Sequence, residues 1–168
     1  MLQKLNRSVF LKVALFAGLV MAIDSFSFAA LADEHDEIYQ VIDQWMTYWE
    51  SRDAAGIASL YTENAVIYAP NAEPLAGRDA IANFIQGMMD AGIVRNLLVT
   101  EMMIVAPIGF EKDWWLLDHF FAYELGHFSL YADGVADPVD DGSYMVMWVK
   151  KDGQWMLHRD MLNSSRPQ

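Results

Sequence analysis

At 168 residues, 54% of them hydrophobic and 13% aromatic, the chain has material for one packed domain, which excludes a disordered chain and disfavours two domains. A formal charge of −12 argues against phosphate backbones and anionic membranes as partners. The absence of cysteine excludes disulfides, thiolate metal sites, a cysteine nucleophile and a lipid-bearing cysteine, while leaving the compartment open.

The first element in chain order reads as a leader. Lys4, Arg7 and Lys12 precede an unbroken apolar run from Val13 to Ile23, and Ala30-Leu31-Ala32 offers a small-residue cleavage site before Asp33. Asp24 interrupts the run well short of the roughly 20 residues a spanning helix needs. The expectation is a signal peptide over 1–32 and a single domain over 33–168, periplasmic or secreted and without a membrane anchor once cleaved. Removing three cations and one acid from the chain's −12 leaves −14 on that domain.

Ile38, Val41, Ile42, Trp45 and Trp49 fall at helical spacing, and Asp33, Glu34, Asp36 and Glu37 sit in the first turn, where the helix dipole favours acids. Asp53 is positioned to cap a short second helix over Ala54 to Tyr61. Ala65 to Ala69 reads as a strand ended by Pro70, and residues 70–77, with two prolines, as a loop. A third helix carries Ile81, Phe84, Ile85 and Met88 on one face, with Gly92 as its stop. The remainder reads as strands. These are Leu97 to Val105, Trp114 to Tyr131 with room for a bulge at Gly126, Tyr144 to Lys150, and Gln154 to Met161, the last two joined by a Lys-Asp-Gly turn. This order predicts α+β, with helices on one face of a curved antiparallel sheet. Tyr144, Val146 and Trp148 alternate with Met145, Met147 and Val149, so both sheet faces need cover; helices inside and a second subunit outside would supply it, which predicts a homodimer.

Three stretches carry a resemblance. They are Tyr48-Trp49-Glu50-Ser51-Arg52-Asp53 continuing to Leu60-Tyr61, Pro74-Leu75-Ala76-Gly77-Arg78 with Ala80-Ile81, and Asp152-Gly153-Gln154-Trp155 through His158-Arg159-Asp160 to Asn163-Ser164. In this order and spacing they resemble the nuclear transport factor 2-like superfamily, in its SnoaL-like, ketosteroid-isomerase-like branch, from about Ile38 to Ser165. The resemblance implies a cone-shaped curved antiparallel sheet wrapped over three helices, an internal pocket at its open end, and frequent dimerisation. The superfamily spans isomerases, dehydratases, cyclases, epoxide hydrolases and proteins with no catalytic role, so the reaction must be read from the site.

Ketosteroid-isomerase chemistry needs a carboxylate base, a phenol and a protonated acid. By the resemblance those positions fall at Ala69, Trp45 and near Met145, none able to do that chemistry. SnoaL-like cyclases use an acid on the final strand, which Asp160 matches. His158 shares its face by strand alternation, giving either an acid/base pair or a structural ion pair. Glu124, inside an apolar strand, is either a pocket carboxylate or the buried partner of Arg159 or Arg95. Alternation puts His127 on the opposite face from Glu124 unless a bulge at Gly126 reunites them. Tyr68 and Tyr48 are hydrogen-bonding walls or core residues, and Trp45, Trp148 and the Trp114-Trp115 pair suit an apolar wall.

Asp133, Asp137, Asp140 and Asp141 miss the calcium-loop spacing and read as a polar turn, and His35 reads as part of a helix start. Neither metal nor cofactor is expected. The resulting expectation is an exported protein holding a small hydrophobic molecule. As an enzyme it would be a cofactor-free isomerase, dehydratase or cyclase in which Asp160 and His158 transfer protons, Glu124 orients or assists, and Tyr68 donates a hydrogen bond. The other reading is a non-catalytic ligand-binding or dimerisation module of the same fold.

Overall fold

The structure, a computed structural model, describes residues 33–107 and 120–166. The expected leader and the Trp114-Trp115 part of the long strand lie outside them. The chain divides into two compact units between Asp36 and Glu37. Of the first, only the helical residues 33–36 are described; the sheet and the helices packed on it belong to the second.

Residues 33–50 form helix α1, whose apolar spacing becomes a buried stripe of Ile38, Ile42, Trp45 and Trp49, the two indoles stacked 5.3 Å apart. Arg52, at φ 57°, turns the chain out of α1, and its guanidinium donates to the Met89 carbonyl at the end of α3 (Arg78–Asp90), where a cation is favoured. Asp53 accepts from Gly56 N at 2.7 Å and so caps α2 (Ala54–Ser59). This helix stops short of the expected Tyr61, because Tyr61 opens β1 (Tyr61–Tyr68) and buries its ring. The expected loop over 70–77 contains a two-residue strand, β2 (Leu75–Ala76), paired antiparallel to β1. Gly77, at φ 84°, then turns the chain into α3, and Gly92, at φ 89°, lies just past its end. Such backbone angles suit glycine, which has no Cβ to clash.

The strands β3 (Ile93–Pro107), β4 (Phe120–Ala132), β5 (Asp140–Lys151) and β6 (Gln154–Ser164) complete a curved six-stranded sheet in the order β2-β1-β6-β5-β4-β3. All neighbours are antiparallel except β1 and β6, which run parallel. Their bulges bend the sheet and re-aim side chains. In β3 the register slips between Thr100 and Met102, leaving Glu101 unpaired; β4 pairs β5 without a slip through Gly126. The bulge is therefore one strand away from the place expected. Another slip falls in β6, where Arg159 pairs Met147 and Leu157 pairs Trp148, leaving His158 extra.

The inner face carries Ala122, Glu124 and Phe128 of β4, Tyr144, Val146 and Trp148 of β5, and Trp155, Leu157 and Asp160 of β6, all buried. The outer face is apolar as well. One row crosses it through Met102, Leu125, Met145, Met161 and Tyr68, on five strands. Beside it run Ile104, Tyr123 and Met147. Among the described residues no helix is long and apolar enough to cross a membrane.

Candidate functional site

Between the inner face, α1 and α3 lies a cavity of about 150 Å³. Its walls are mainly apolar, among them Ile42, Trp45, Ile67, Phe84, Leu98 and Trp148. The polar groups at its edge are few, and each belongs to a distinct arrangement.

Glu124 sits inside β4 with 1% of its surface exposed. Three donors hold it. Tyr144 Oη at 2.6 Å and Thr100 Oγ1 at 2.7 Å donate to Oε1, and Trp148 Nε1 at 3.0 Å donates to Oε2. The strand register supplies them. Tyr144 and Trp148 flank Val146, the residue opposite Glu124 on β5, and Thr100 precedes the bulge of β3. Gly126 makes room for this cluster, because a Cβ there would collide with the Val99 carbonyl and lie 2.6 Å from Tyr144 Oη. Burial and then the Glu124 charge push the Tyr144 phenol up, so it stays a donor. Neither Arg159 nor Arg95 is the partner expected of Glu124. Arg159 donates to the Asn64 and His158 carbonyls, and Arg95 lies over the Tyr131 ring.

Asp160 differs. Its Oδ2 accepts from Tyr61 Oη at 2.7 Å, and Trp45 hydrogen-bonds that same phenol. Its Oδ1 is buried with no hydrogen-bond partner. Burial raises the Asp160 pKa from 3.8 to about 6, with a further rise from the Glu124 charge and a partial offset from the Tyr61 hydrogen bond. Tyr61 is raised well above its ordinary value by burial and by Asp160, and remains protonated. The result is a carboxyl that changes charge near neutral pH, with one oxygen positioned and the other unspent. That suits general acid/base work. Asn96 also lines the cavity, and its Oδ1 is likewise buried without a partner.

The expected residues thus separate. Asp160, Glu124, Trp45 and Trp148 line the cavity together. His158 does not, because the β6 bulge lets Leu157 and Asp160 both face inward and leaves His158 on the far side. There its Nε2 accepts from Arg159 Nη1 at 3.0 Å, which puts the ring proton on Nδ1, donating to Thr62 Oγ1 at 2.8 Å. Burial and the Arg159 charge lower its pKa. His127 is exposed on the outer face, 3.0 Å from Glu101, and regular pairing through Gly126 keeps it opposite Glu124. Tyr68 is exposed on that outer face, in the row with Met161. Tyr48 leans on Gly56 and accepts from Gln44 on its own helix, outside the cavity wall. Met145 points outward; the inward neighbours on β5 are Tyr144 and Val146.

Sequence reasoning missed Tyr61, Tyr144, Thr100 and Asn96. The alternation of Tyr144 with Trp148 was a usable signal, since it placed both on one face. Nothing local marked Tyr61, whose role follows from a strand pairing about a hundred residues away. Among the described residues no three His, Asp or Glu side chains converge as metal ligands.

Comparison with known proteins adds a family to this geometry. A family model described as the SnoaL-like domain matches residues 30–159. No curated protein matches the chain by sequence. Solved structures share the fold at low identity. A Mycobacterium tuberculosis protein of unknown function is 17% identical, covering 83% of this chain and 76% of its own, with a TM-score of 0.63. A Novosphingobium aromaticivorans protein described as NTF2-like with a cystatin-like fold is 16% identical over 84% and 88%, also at 0.63. Another from that organism, provisionally described as a scytalone dehydratase, is 18% identical over 80% and 86%, at 0.61.

Proposed function

Since the chain belongs to the SnoaL-like domain family, which includes isomerases and dehydratases beside members of unknown function, we propose that it binds a small hydrophobic molecule in its inner cavity and transforms it by cofactor-free acid/base chemistry. The observation that carries this reading is Asp160. A buried carboxyl with a pKa of about 6, one oxygen held by Tyr61 and the other unpartnered in a cavity-lining residue, is poised to take and return a proton.

In this reading Asp160 removes a proton from the substrate and restores it elsewhere, the step common to isomerisation, dehydration and cyclisation. Tyr61, kept protonated, steadies Asp160 in the ionised form. Glu124 acts through others: with three donors engaged, it fixes Tyr144 and Trp148 as parts of the wall. His158, behind the sheet, takes no part.

The test is Asp160→Asn, assayed against a panel of small cyclic hydroxyketones by proton exchange in deuterated water. Turnover should vanish while circular dichroism is unchanged; undiminished turnover removes Asp160 from the mechanism. The second reading, a non-catalytic binding module, draws support from Ala69, Trp45 and Met145 at the positions of the isomerase groups. Under it, ligand binds and no proton exchanges in either protein.

We further propose export after cleavage before Asp33, on the leader pattern, and a homodimer through the outer sheet face. The apolar row of Met102, Leu125, Met145 and Met161 with Tyr68 supports the second point, because an exposed apolar strip of this breadth is costly in water. The acidic surface disfavours nucleic acid and anionic membranes as partners.

A further inference from the structure

Which molecule fits is set by volume, by charge and by the unpaired atoms. About 150 Å³ is half or less of the volume usual for drug-sized ligands and matches the space in which an apolar cavity takes up one benzene-sized ring. A three- or four-ring frame exceeds that volume. The lining contains Glu124, Asp160 and Asp140 and no Lys, Arg or His among the described residues, so an anionic ligand meets negative charge and no counterion.

Several of the hydrogen-bonding groups are already engaged. Glu124 is already engaged by three donors, and Tyr61 and Tyr144 spend their hydroxyl protons on the two carboxylates. Two buried acceptors in the lining residues remain unpartnered, Asp160 Oδ1 and Asn96 Oδ1. Buried acceptors of this kind cost free energy until a donor arrives. An ammonium group brings three N–H donors to two free acceptors and a full charge to desolvate, so an uncharged hydroxyl fits better.

We infer that the cavity is selective for a single-ring, uncharged molecule carrying a hydroxyl group, bound with its ring against Trp45 and Trp148 and its O–H donated to Asp160 Oδ1. This rests on the proposed pocket function and narrows it from hydrophobic molecules at large to one compact class. The ring supplies apolar contact, and the hydroxyl supplies a donor to the unpartnered Asp160 Oδ1. Asp160 is then both the specificity determinant and the group nearest the bond that ionises.

Isothermal titration calorimetry of the purified protein tests this with four probes: phenol, toluene, benzylamine and estradiol. Phenol and toluene match in size and differ in the donor; estradiol keeps the phenol on a four-ring frame. The expected result is phenol binding at least about tenfold more tightly than toluene, with benzylamine and estradiol weaker than phenol. In Asp160→Asn the margin of phenol over toluene should narrow, since the amide can turn a donor toward the cavity. Equal binding of phenol and toluene by the unaltered protein overturns the inference and leaves the pocket function standing. Tighter binding of estradiol overturns the size limit, and tighter binding of benzylamine overturns the uncharged class. Binding of none of the four overturns both the inference and the pocket function.

Discussion

Replacing Asp160 by Asn should stabilise the protein at alkaline pH and do so less as the pH falls. The native carboxyl titrates at about 6 against 3.8 for an ordinary aspartate. Ionising it in the fold therefore costs more than ionising it in the unfolded chain, by about two pH units at 1.36 kcal/mol each, or about 3 kcal/mol. The penalty is absent below the unfolded pKa, grows between about pH 4 and 6, and is complete above 6. Asparagine keeps the shape and can still accept from Tyr61, so it removes the penalty and little else. Urea unfolding followed by tryptophan fluorescence at pH 8 should place the variant up to about 3 kcal/mol above the native protein, and at pH 5 about half that. A gain that is the same at both pH values, or a loss at pH 8, would refute the buried, raised carboxyl.

Other perturbations probe the surrounding structure. Tyr144→Phe removes one of the donors to the buried Glu124 carboxylate and should cost about 1.5–3 kcal/mol in the same unfolding assay; no loss would mean Glu124 is not held as described. Gly126→Ala forces a methyl against the Val99 carbonyl and Tyr144 Oη and should cost about 1–3 kcal/mol, whereas an alanine variant as stable as the parent would contradict the close approach. Asp53→Ala removes the cap of α2 and should cost about 0.5–2 kcal/mol, with cavity ligands bound as before. Met145→Asp places a charge at the middle of the outer apolar row, so sedimentation should show a dimer become a monomer; an unaltered protein that is already monomeric sinks the proposed interface.

Much of the fold was legible because its signals are local. The stripe of Ile38, Ile42, Trp45 and Trp49 is a helical period, Asp53 sits where a cap must, and the ordered motifs from Tyr48 to Ser164 carry the family. Glu124 was visible for a thermodynamic reason, since a carboxylate inside an apolar strand needs partners. Its partners were not, because Thr100, Tyr144 and Trp148 come from two other strands and meet it only through register. The bulges explain the rest. One extra residue in β6 carries His158 away from the face it shares with Asp160 under strict alternation, and one in β3 leaves Glu101, beside His127, outside. Alternation counts residues, while a bulge is decided by how strands close around packed side chains. The local pattern places Tyr61 at the end of a helix, because its phenol finds its use only when β1 lies beside β6.

As proposed above, Asp160 is a proton-transferring carboxyl in the wall of the cavity. Carbon-13 NMR of aspartate-labelled protein, titrated with and without phenol, reads it directly, with Asp160→Asn assigning the signal. One carboxyl should titrate near pH 6 and change its midpoint when phenol is added. If every aspartate titrates near 4 and none responds to phenol, Asp160 is an ordinary structural acid and the account of this site is wrong.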